Sequence, residues 1–330
     1  MKVTEANNPI EEFLSQEIPD EVWHYTSLPA LRGIISSGRV WATEARFSND
    51  KTEFVHARDI AAGILPTLYV DGHFPGMPID DLTKMLNKAF DEGALSPLEN
   101  QIYIASFSAA PDLLSQWSQY ASASQGVSIG FDLRGIRPPT ALDIGVTLAP
   151  CLYEDAAQGR LIKTALEHFT NAVLSLDHQS QDPVWMKAQV ASWNAIHRPP
   201  FERAAFEWQL QQDMKNQLLG AFRRTLYDLL RVASHCKNPG FVQEQEWRLA
   251  LPIPTRRPPT HNTILYRGAS GKIPYLAFDF FRTDNRLPIT QVMTGPLCAK
   301  VDEIAEILTA NGYSVPIVPS SIPLRDTTTL

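Results

Sequence analysis

Apolar and polar positions along the chain divide it into short strands and amphipathic helices. Val22-Trp23-His24-Tyr25-Thr26 is a run of strand formers. Side chains alternate along a strand, so His24 and Thr26 share one face. Ser27 has the chemistry of an N-cap, Leu28, Leu31, Ile34 and Ile35 follow at helical spacing, and Gly38 suits the left-handed residue that ends a helix. Val40 to Thr43 reads as a second strand. Asp50 and Glu53 stand at capping-box spacing, and Phe54, Ala57, Ile60, Ala61 and Ile64 give the next helix an apolar stripe. Pro66 to Pro78 reads as a Gly/Pro loop. Leu82, Met85, Leu86 and Ala89 then mark a helix closed by Gly93.

Ile102 to Ser108 is an apolar run holding two serines, as in a buried strand. Pro111 to Ala121 reads as a short helix with Leu113, Leu114 and Trp117 on one face, which makes Trp117 a core residue. Gly126 to Asp132 and Val146 to Tyr153 are expected strands. From Ala156 to Ser234 the period is helical, broken near Asp182-Pro183 and Pro199-Pro200. Strand character returns at Phe241 to Leu251, Thr263 to Tyr266, Ile273 to Phe281, Thr290 to Met293 and Tyr313 to Val318, with a helix at Val301 to Ala310. Residues up to Pro19 read as a loose arm or a short helix. Strands and helices mix without regular βαβ order, which predicts an α+β fold. The expected organisation is a single domain over 1–330, with a β core at 20–155 and 236–325 and a helical insertion at 156–235.

Composition narrows the classes. The chain of 330 residues is 44% hydrophobic with a formal net charge of −7. That charge argues against a sheath of non-specific nucleic-acid contacts. The sparse basic stretch Arg256-Arg257, His261, Arg267 and Lys272 reads first as a solvated loop, with contact to a nucleic-acid acceptor as the alternative. Cys151, Cys236 and Cys298 are odd in number and lack metal spacing, which predicts a reducing, cytoplasmic setting. Met1 to Ile10 has no signal-peptide pattern, and no apolar run approaches the ~20 residues of a membrane span. Gly-rich dinucleotide loops, Walker loops and nucleophile elbows do not occur. Glu53 and His56 have helical metal-site spacing but no second such pair, so His56 reads as an ordinary histidine and no metal is expected.

What remains is a set of polar residues within predicted strands: His24 and Thr26, Ser106 and Ser108, Glu244 and Glu246. Each has a plain structural explanation. His24 can be a satisfied core histidine, the serines can bond nearby backbone, and Glu246 can pair with Arg248. Burying so many polar groups is nevertheless costly unless each is paired or used.

The marks His24-Tyr25-Thr26-Ser27, Phe47-Ser48-Asn49-Asp50-x-x-Glu53, Ser106-Phe107-Ser108 and Trp117-x-x-Tyr120 occur in order. They are followed by Gly126-x-x-Ile129-Gly130-Phe131-Asp132, Tyr153, Glu244-x-Glu246-x-Arg248 and Ser321-Ile322-Pro323-Leu324-Arg325. Together the marks resemble a bacterial family catalogued as domain of unknown function 2971, whose closing motif usually has Tyr at the place of Leu324. The His-x-Thr front end and its helix are in turn similar to the ADP-ribosyltransferase superfamily, especially toxin-type enzymes that modify nucleic acid.

That second resemblance implies a split β core around NAD, here with a large inserted helical layer. It implies His24 as the first-strand residue and Glu246 as the late catalytic glutamate. Thr26 would assist His24. Ser106 or Ser108 would fill the middle position, with Tyr120 as an aromatic alternative, and Glu244 would open a Glu-x-Glu motif. Tyr25, Tyr120 or Trp117 would stack on nicotinamide or adenine. Asn49 and Asp50 read as helix caps, with substrate contact as the sharper alternative.

The chemistry suits those residue types. Breaking the nicotinamide–ribose bond passes through an oxocarbenium-like state, which a nearby carboxylate stabilises. A neutral histidine and a threonine hydroxyl can both donate to and accept from a ribose. The expected partners are NAD as substrate and an unspecified macromolecular acceptor, nucleic acid or protein. A toxin or phage-defence role follows from the resemblance alone. An NAD glycohydrolase, with water as acceptor, and a non-catalytic nucleotide-binding module are the alternatives.

Overall fold

The structure is a computed structural model. It describes residues 8–47, 53–68, 79–91, 94–95, 100–136, 146–196, 203–254, 264–267, 272–280 and 286–324. In chain order the elements are α1 (Pro9–Leu14), β1 (Val22–Thr26), α2 (Leu28–Ser37), β2 (Val40–Glu44), α3 (Glu53–Leu68), α4 (Ile79–Asp91), β3 (Ala94–Leu95), β4 (Asn100–Ser108), α5 (Leu114–Tyr120), β5 (Val127–Phe131) and β6 (Thr147–Pro150). Three helices follow, α6 (Asp155–Gln181), α7 (Pro183–Ile196) and α8 (Arg203–Ala233). The chain continues with β7 (Glu246–Pro254), β8 (Ile264–Arg267), β9 (Ile273–Phe278), β10 (Ile289–Thr294), α9 (Val301–Ala310) and β11 (Ile317–Pro319). The fold is mixed α+β around an open, mostly antiparallel sheet, in which β10 and β11 form a parallel pair.

The hub of the sheet is β4. Along one edge it pairs with β7 over its whole length, from Asn100 opposite Pro254 to Ser108 opposite Glu246. Its other edge is shared by three strands, with Ala94 of β3 opposite Gln101 at its start. Ile104 pairs with Thr43 of β2, while Ser108 pairs with Trp23 of β1. The sheet continues past β1 through β5, β10 and β11, and past β2 through β9 and β8. Between β1 and β2 it is open. A site that joins His24 to Glu246 would set β1 and β7 side by side, but β4 lies between them.

Apolar residues fill both faces. On one, α3, α4, α6 and α8 pack over Ile102, Ile104, Ala149 and Ala250. On the other, α2 and α9 pack over Tyr103, Phe107, Ile129 and Leu249. A third cluster joins Trp23 and Tyr25 to Trp117 and Ala121. Each fully buried large side chain contributes roughly 1.5–3 kcal/mol.

Local signals explain the β1–α2 unit. The Ser27 hydroxyl accepts from the Ala30 amide at 3.3 Å, and Gly38 takes φ 63° and donates to the Ile34 carbonyl. Elsewhere the elements depart from the sequence pattern. Strand β7 starts at Glu246 rather than near Phe241, because Asn238 caps a 3-10 turn over Pro239–Glu244 and Gln245 is left-handed at φ 46°. The helix α3 continues through Pro66 to Leu68. Strand β6 stops at Pro150, and Leu152 keeps a single bridge to Cys236. Asn49, Asp50, Gly93, Arg256, Arg257, His261 and Arg325 lie outside the described residues.

Two contacts tie α5 to the sheet. Ser122, Ala123 and Ser124 are all left-handed, at φ 49°, 52° and 71°. The turn closes with Gly126 donating to the Ala121 carbonyl at 2.8 Å. A Cβ on Gly126 would stand 2.2 Å from the Thr26 carbonyl oxygen. At the start of α5, Asp112 accepts from Trp117 Nε1 at 2.7 Å, Ser320 Oγ at 2.6 Å and the Ser321 amide at 2.7 Å. Burial pushes its carboxyl upward, but these bonds outweigh that and hold it below the usual aspartate range.

Gly126→Ala should lower stability by about 1–3 kcal/mol, because the clash is with backbone that cannot rotate away; the urea midpoint measures this. Asp112→Ala should lose about 1–3 kcal/mol by leaving the Trp117 and Ser321 donors unpaired. Because the folded pKa of Asp112 is depressed, its contribution is fully present above the unfolded value and disappears as pH falls through the folded one. The stability gap between wild type and Asp112→Ala should therefore close in acid.

Candidate functional site

The opening between β1 and β2 leaves one backbone carbonyl without a strand partner. Edges alternate residue by residue, so the backbone of Ser106 faces the same edge as those of Ile104 and Ser108. Neither β1 nor β2 has a residue paired opposite it. His24 supplies the missing donor, with Nδ1 at 3.0 Å from the Ser106 oxygen. A carbonyl only accepts, so Nδ1 carries the proton. In the neutral ring Nε2 is then an acceptor. Burial lowers the His24 pKa most strongly, and the positive charge of Arg267 adds to this against the opposing effect of the Ser106 bond. The ring is neutral at physiological pH.

A cavity of about 360 Å³ occupies the opening, within the range of small-molecule sites. Residues from both faces of the sheet meet there. His24 and Thr26 belong to the face packed on α2, and the His24 ring stands 5.8 Å from that of Phe107. Ser106, Glu246 and Arg248 belong to the other face, as their pairing registers require. Pro29, Ala30 and Gly33 of α2 and Gln116, Gln119 and Tyr120 of α5 complete the walls.

At one end lies a buried network of two carboxylates and two cations. Arg248 donates Nε to Glu246 Oε1 at 2.9 Å and Nη2 to Oε2 at 3.1 Å. Lys237 pairs with Oε2 of both Glu244 and Glu246. All four side chains are at most 8% exposed. Burial pushes the Glu246 carboxyl upward, but Arg248 and Lys237 prevail and hold its pKa down at about 2. Burial works against the Lys237 charge, yet attraction to Glu246 keeps its pKa above the usual lysine value. Arg248 also donates to the Ser234 carbonyl at 3.0 Å, which fastens the network to the end of α8. The Tyr153 hydroxyl accepts from the Glu246 amide at 2.9 Å.

The residues singled out in the sequence divide between cavity and scaffold. His24, Tyr25, Thr26, Ser106, Tyr120, Glu244 and Glu246 line the cavity. Ser108 does not: its hydroxyl donates to the Glu244 carbonyl at 2.7 Å and accepts from the Ala110 amide at 3.1 Å, fixing the turn before Glu246. The Tyr25 hydroxyl is likewise held by backbone, donating to Ala110 at 2.8 Å and accepting from Leu113 at 3.0 Å. Trp117 is fully buried and belongs to the core. His56 faces Asp155 at 3.3 Å, away from the cavity.

Lys237 and Phe241 also line the cavity, with no signal in the sequence to mark them, and so does Arg267 of the sparse basic stretch. Lys237 sits in the connection after the helical block, where its amide donates to the Leu152 carbonyl at 2.9 Å, and the 3-10 turn over Pro239–Glu244 brings the chain back so that Lys237 meets Glu246. The pairing of Glu246 with Arg248 was legible as a same-face strand pair. Among the described residues no group of three or more His, Cys, Asp or Glu could hold a metal ion, and no helix is long and apolar enough to cross a membrane.

No curated protein and no solved structure matches the chain. The family described as a protein of unknown function (DUF2971) matches residues 116–249, a stretch that carries Tyr120, Lys237, Glu244, Glu246 and Arg248, and this match supports that family.

Proposed function

We propose that the protein is an NAD-dependent ADP-ribosyltransferase. It would cleave the nicotinamide–ribose bond and pass ADP-ribose to a macromolecular acceptor, nucleic acid or protein. The observation that carries this reading is the convergence of His24, Ser106 and Glu246 on one cavity at an opening in the sheet. The resemblance to enzymes with a split β core around NAD implies these positions, which lie far apart in the chain.

The chemistry assigns each a role. The C1′–N bond breaks with its electron pair leaving on nicotinamide, and positive charge develops at C1′ and the ring oxygen. The Glu246 carboxylate supplies the opposing charge. Its Oε1 accepts one bond from Arg248 and keeps acceptor capacity for a ribose hydroxyl. With a pKa of about 2, Glu246 is a weak base at neutral pH. Its role is therefore electrostatic, and the proton released when the acceptor bonds to C1′ passes to solvent water. His24 Nε2 and the Thr26 hydroxyl suit the second ribose. A nucleotide-binding module without turnover is the second reading. It draws on the same network, since Lys237 and Arg248 already neutralise Glu246.

Incubation of the wild-type protein with labelled NAD, alone and with RNA, DNA or lysate protein, should release nicotinamide and label the acceptor. Free ADP-ribose without a labelled acceptor would point to glycohydrolase activity, and NAD binding without nicotinamide release would leave only the binding module. Glu246→Gln should cut turnover by roughly a hundredfold or more. It should also cost about 3–5 kcal/mol of stability, because Lys237 and Arg248 lose a buried counter-charge; thermal unfolding must accompany the assay. His24→Ala, which keeps the network intact, should weaken NAD binding by about tenfold.

The pH dependence has a definite sign. The folded pKa of Glu246, about 2, lies below its ordinary value of 4.5. Its contribution to stability is fully present above the unfolded value and is lost as pH falls through about 2. The rate of nicotinamide release should accordingly show no acidic limb at the ordinary glutamate pKa.

A further inference from the structure

At the other end of the cavity Arg267, the last residue of β8, presents a guanidinium that meets no carboxylate among the described residues. Its Nη2 donates to Thr43 Oγ1 at 2.7 Å. Its Cζ lies 5.6 Å from the Trp41 ring centroid and 5.8 Å from that of Tyr275, rings that are themselves 4.5 Å apart. These contacts hold the group beside the two rings. A guanidinium carries five N–H donors, and one of them has a protein acceptor among the described residues. Lys237 and Arg248, the other cations of the cavity described above, are both matched by glutamates. Held beside two aromatic rings and partly withdrawn from water, this planar fork of donors bears a desolvation cost that no carboxylate among the described residues offsets. Its shape and charge match a phosphoryl group.

We propose that Arg267, oriented by Thr43 and by the Trp41 and Tyr275 rings, is a subsite for the phosphate or diphosphate of a nucleotide. Position along the sheet sets the orientation of that ligand. Thr43 is opposite Ile104 and Glu246 is opposite Ser108, four residues apart on β4, or about 13 Å. His24 and Ser106 lie between. Phosphates at Arg267 stay clear of the Glu244 and Glu246 carboxylates, which would repel them, and the uncharged sugar is left facing Glu246. The identity of the nucleotide as NAD rests on the function proposed above. The subsite itself requires only a phosphorylated ligand.

Calorimetry with ADP-ribose, adenosine and inorganic diphosphate tests this on wild type, Arg267→Gln, Arg267→Lys and Thr43→Ala. Wild type should bind ADP-ribose more tightly than adenosine, and inorganic diphosphate should compete with ADP-ribose. Arg267→Gln should weaken ADP-ribose binding by roughly tenfold to a hundredfold while leaving adenosine binding unchanged. Arg267→Lys should recover part of the loss, since lysine keeps the charge but not the fork. Thr43→Ala keeps the cation and should give a smaller loss, which covers the case in which Arg267→Gln does not fold. Equal binding of ADP-ribose by wild type and Arg267→Gln overturns the proposal, as does failure of wild type to bind ADP-ribose or to prefer it to adenosine. If ADP-ribose binding depends on Arg267 but NAD yields no nicotinamide, the transferase reading falls and the subsite stands. If nicotinamide is released and Arg267→Gln leaves KM for NAD unchanged, the subsite falls and the transferase reading stands.

Discussion

A backbone carbonyl within a sheet takes its donor from a neighbouring strand, a side chain or water. In this fold the Ser106 carbonyl finds it in a side chain, because β4 divides one edge between β1 and β2. Most of the site follows from that division. The strands diverge, a cavity forms where paired backbone would otherwise lie, and His24 is drawn into the gap. The hydrogen bond also selects the ring tautomer, so the nitrogen turned to the cavity is an acceptor. Filling the opening with a continuous strand would satisfy Ser106 without His24 and remove the cavity at the same time.

The opposite edge of β4 supports this opening. Its nine-residue ladder with β7 is uninterrupted and sets Glu246 level with Ser108. The Ser108 hydroxyl then holds the Glu244 carbonyl, and the left-handed Gln245 turns the chain into the strand. Four charged side chains gather at this point with little exposure. Desolvation alone would leave Glu246 protonated, since an unpaired buried carboxyl rises in pKa. Two cations within hydrogen-bond distance reverse the sign and carry it below the ordinary value. The network is therefore a means of keeping a buried carboxylate ionised more than a source of net stability.

Legibility in the sequence tracked the range of the interactions. The β1–α2 unit could be read closely, because Ser27, the i, i+3, i+4 apolar positions and Gly38 all act within one turn of their targets. The Glu246–Arg248 pair was visible for the same reason, two residues apart on one strand. The role of β4 was not visible. Its partners on four strands are set by the global topology, and nothing within Ile102 to Ser108 encodes which edge is shared. Ser106 and Ser108 looked alike in sequence and differ because one lies at the opening and the other at a turn. Tight-turn chemistry at Asn238-Pro239-Gly240 displaced the start of β7, where apolar Phe241 and Val242 had suggested extended chain. Arg267 read as one member of a sparse basic stretch, and only the pairing of β2 with β9 and of β9 with β8 brings it beside Thr43.

The two ends of the cavity now differ in kind. At the Glu246 end the charges cancel formally, two against two, and every cation has a protein partner. At the Arg267 end, among the described residues, a positive charge stands beside aromatic rings and a hydroxyl. The neutral His24 between them is a consequence of both burial and that charge. A dipolar ligand, anionic at one end and uncharged at the other, would be aligned by this field before any specific contact to its sugar forms. The same alignment would bring the developing positive charge of a cleaving glycosidic bond to the carboxylate end, where an ionised glutamate is already in place. Orientation and charge stabilisation would then come from one electrostatic gradient, built across the width of a single divided strand edge.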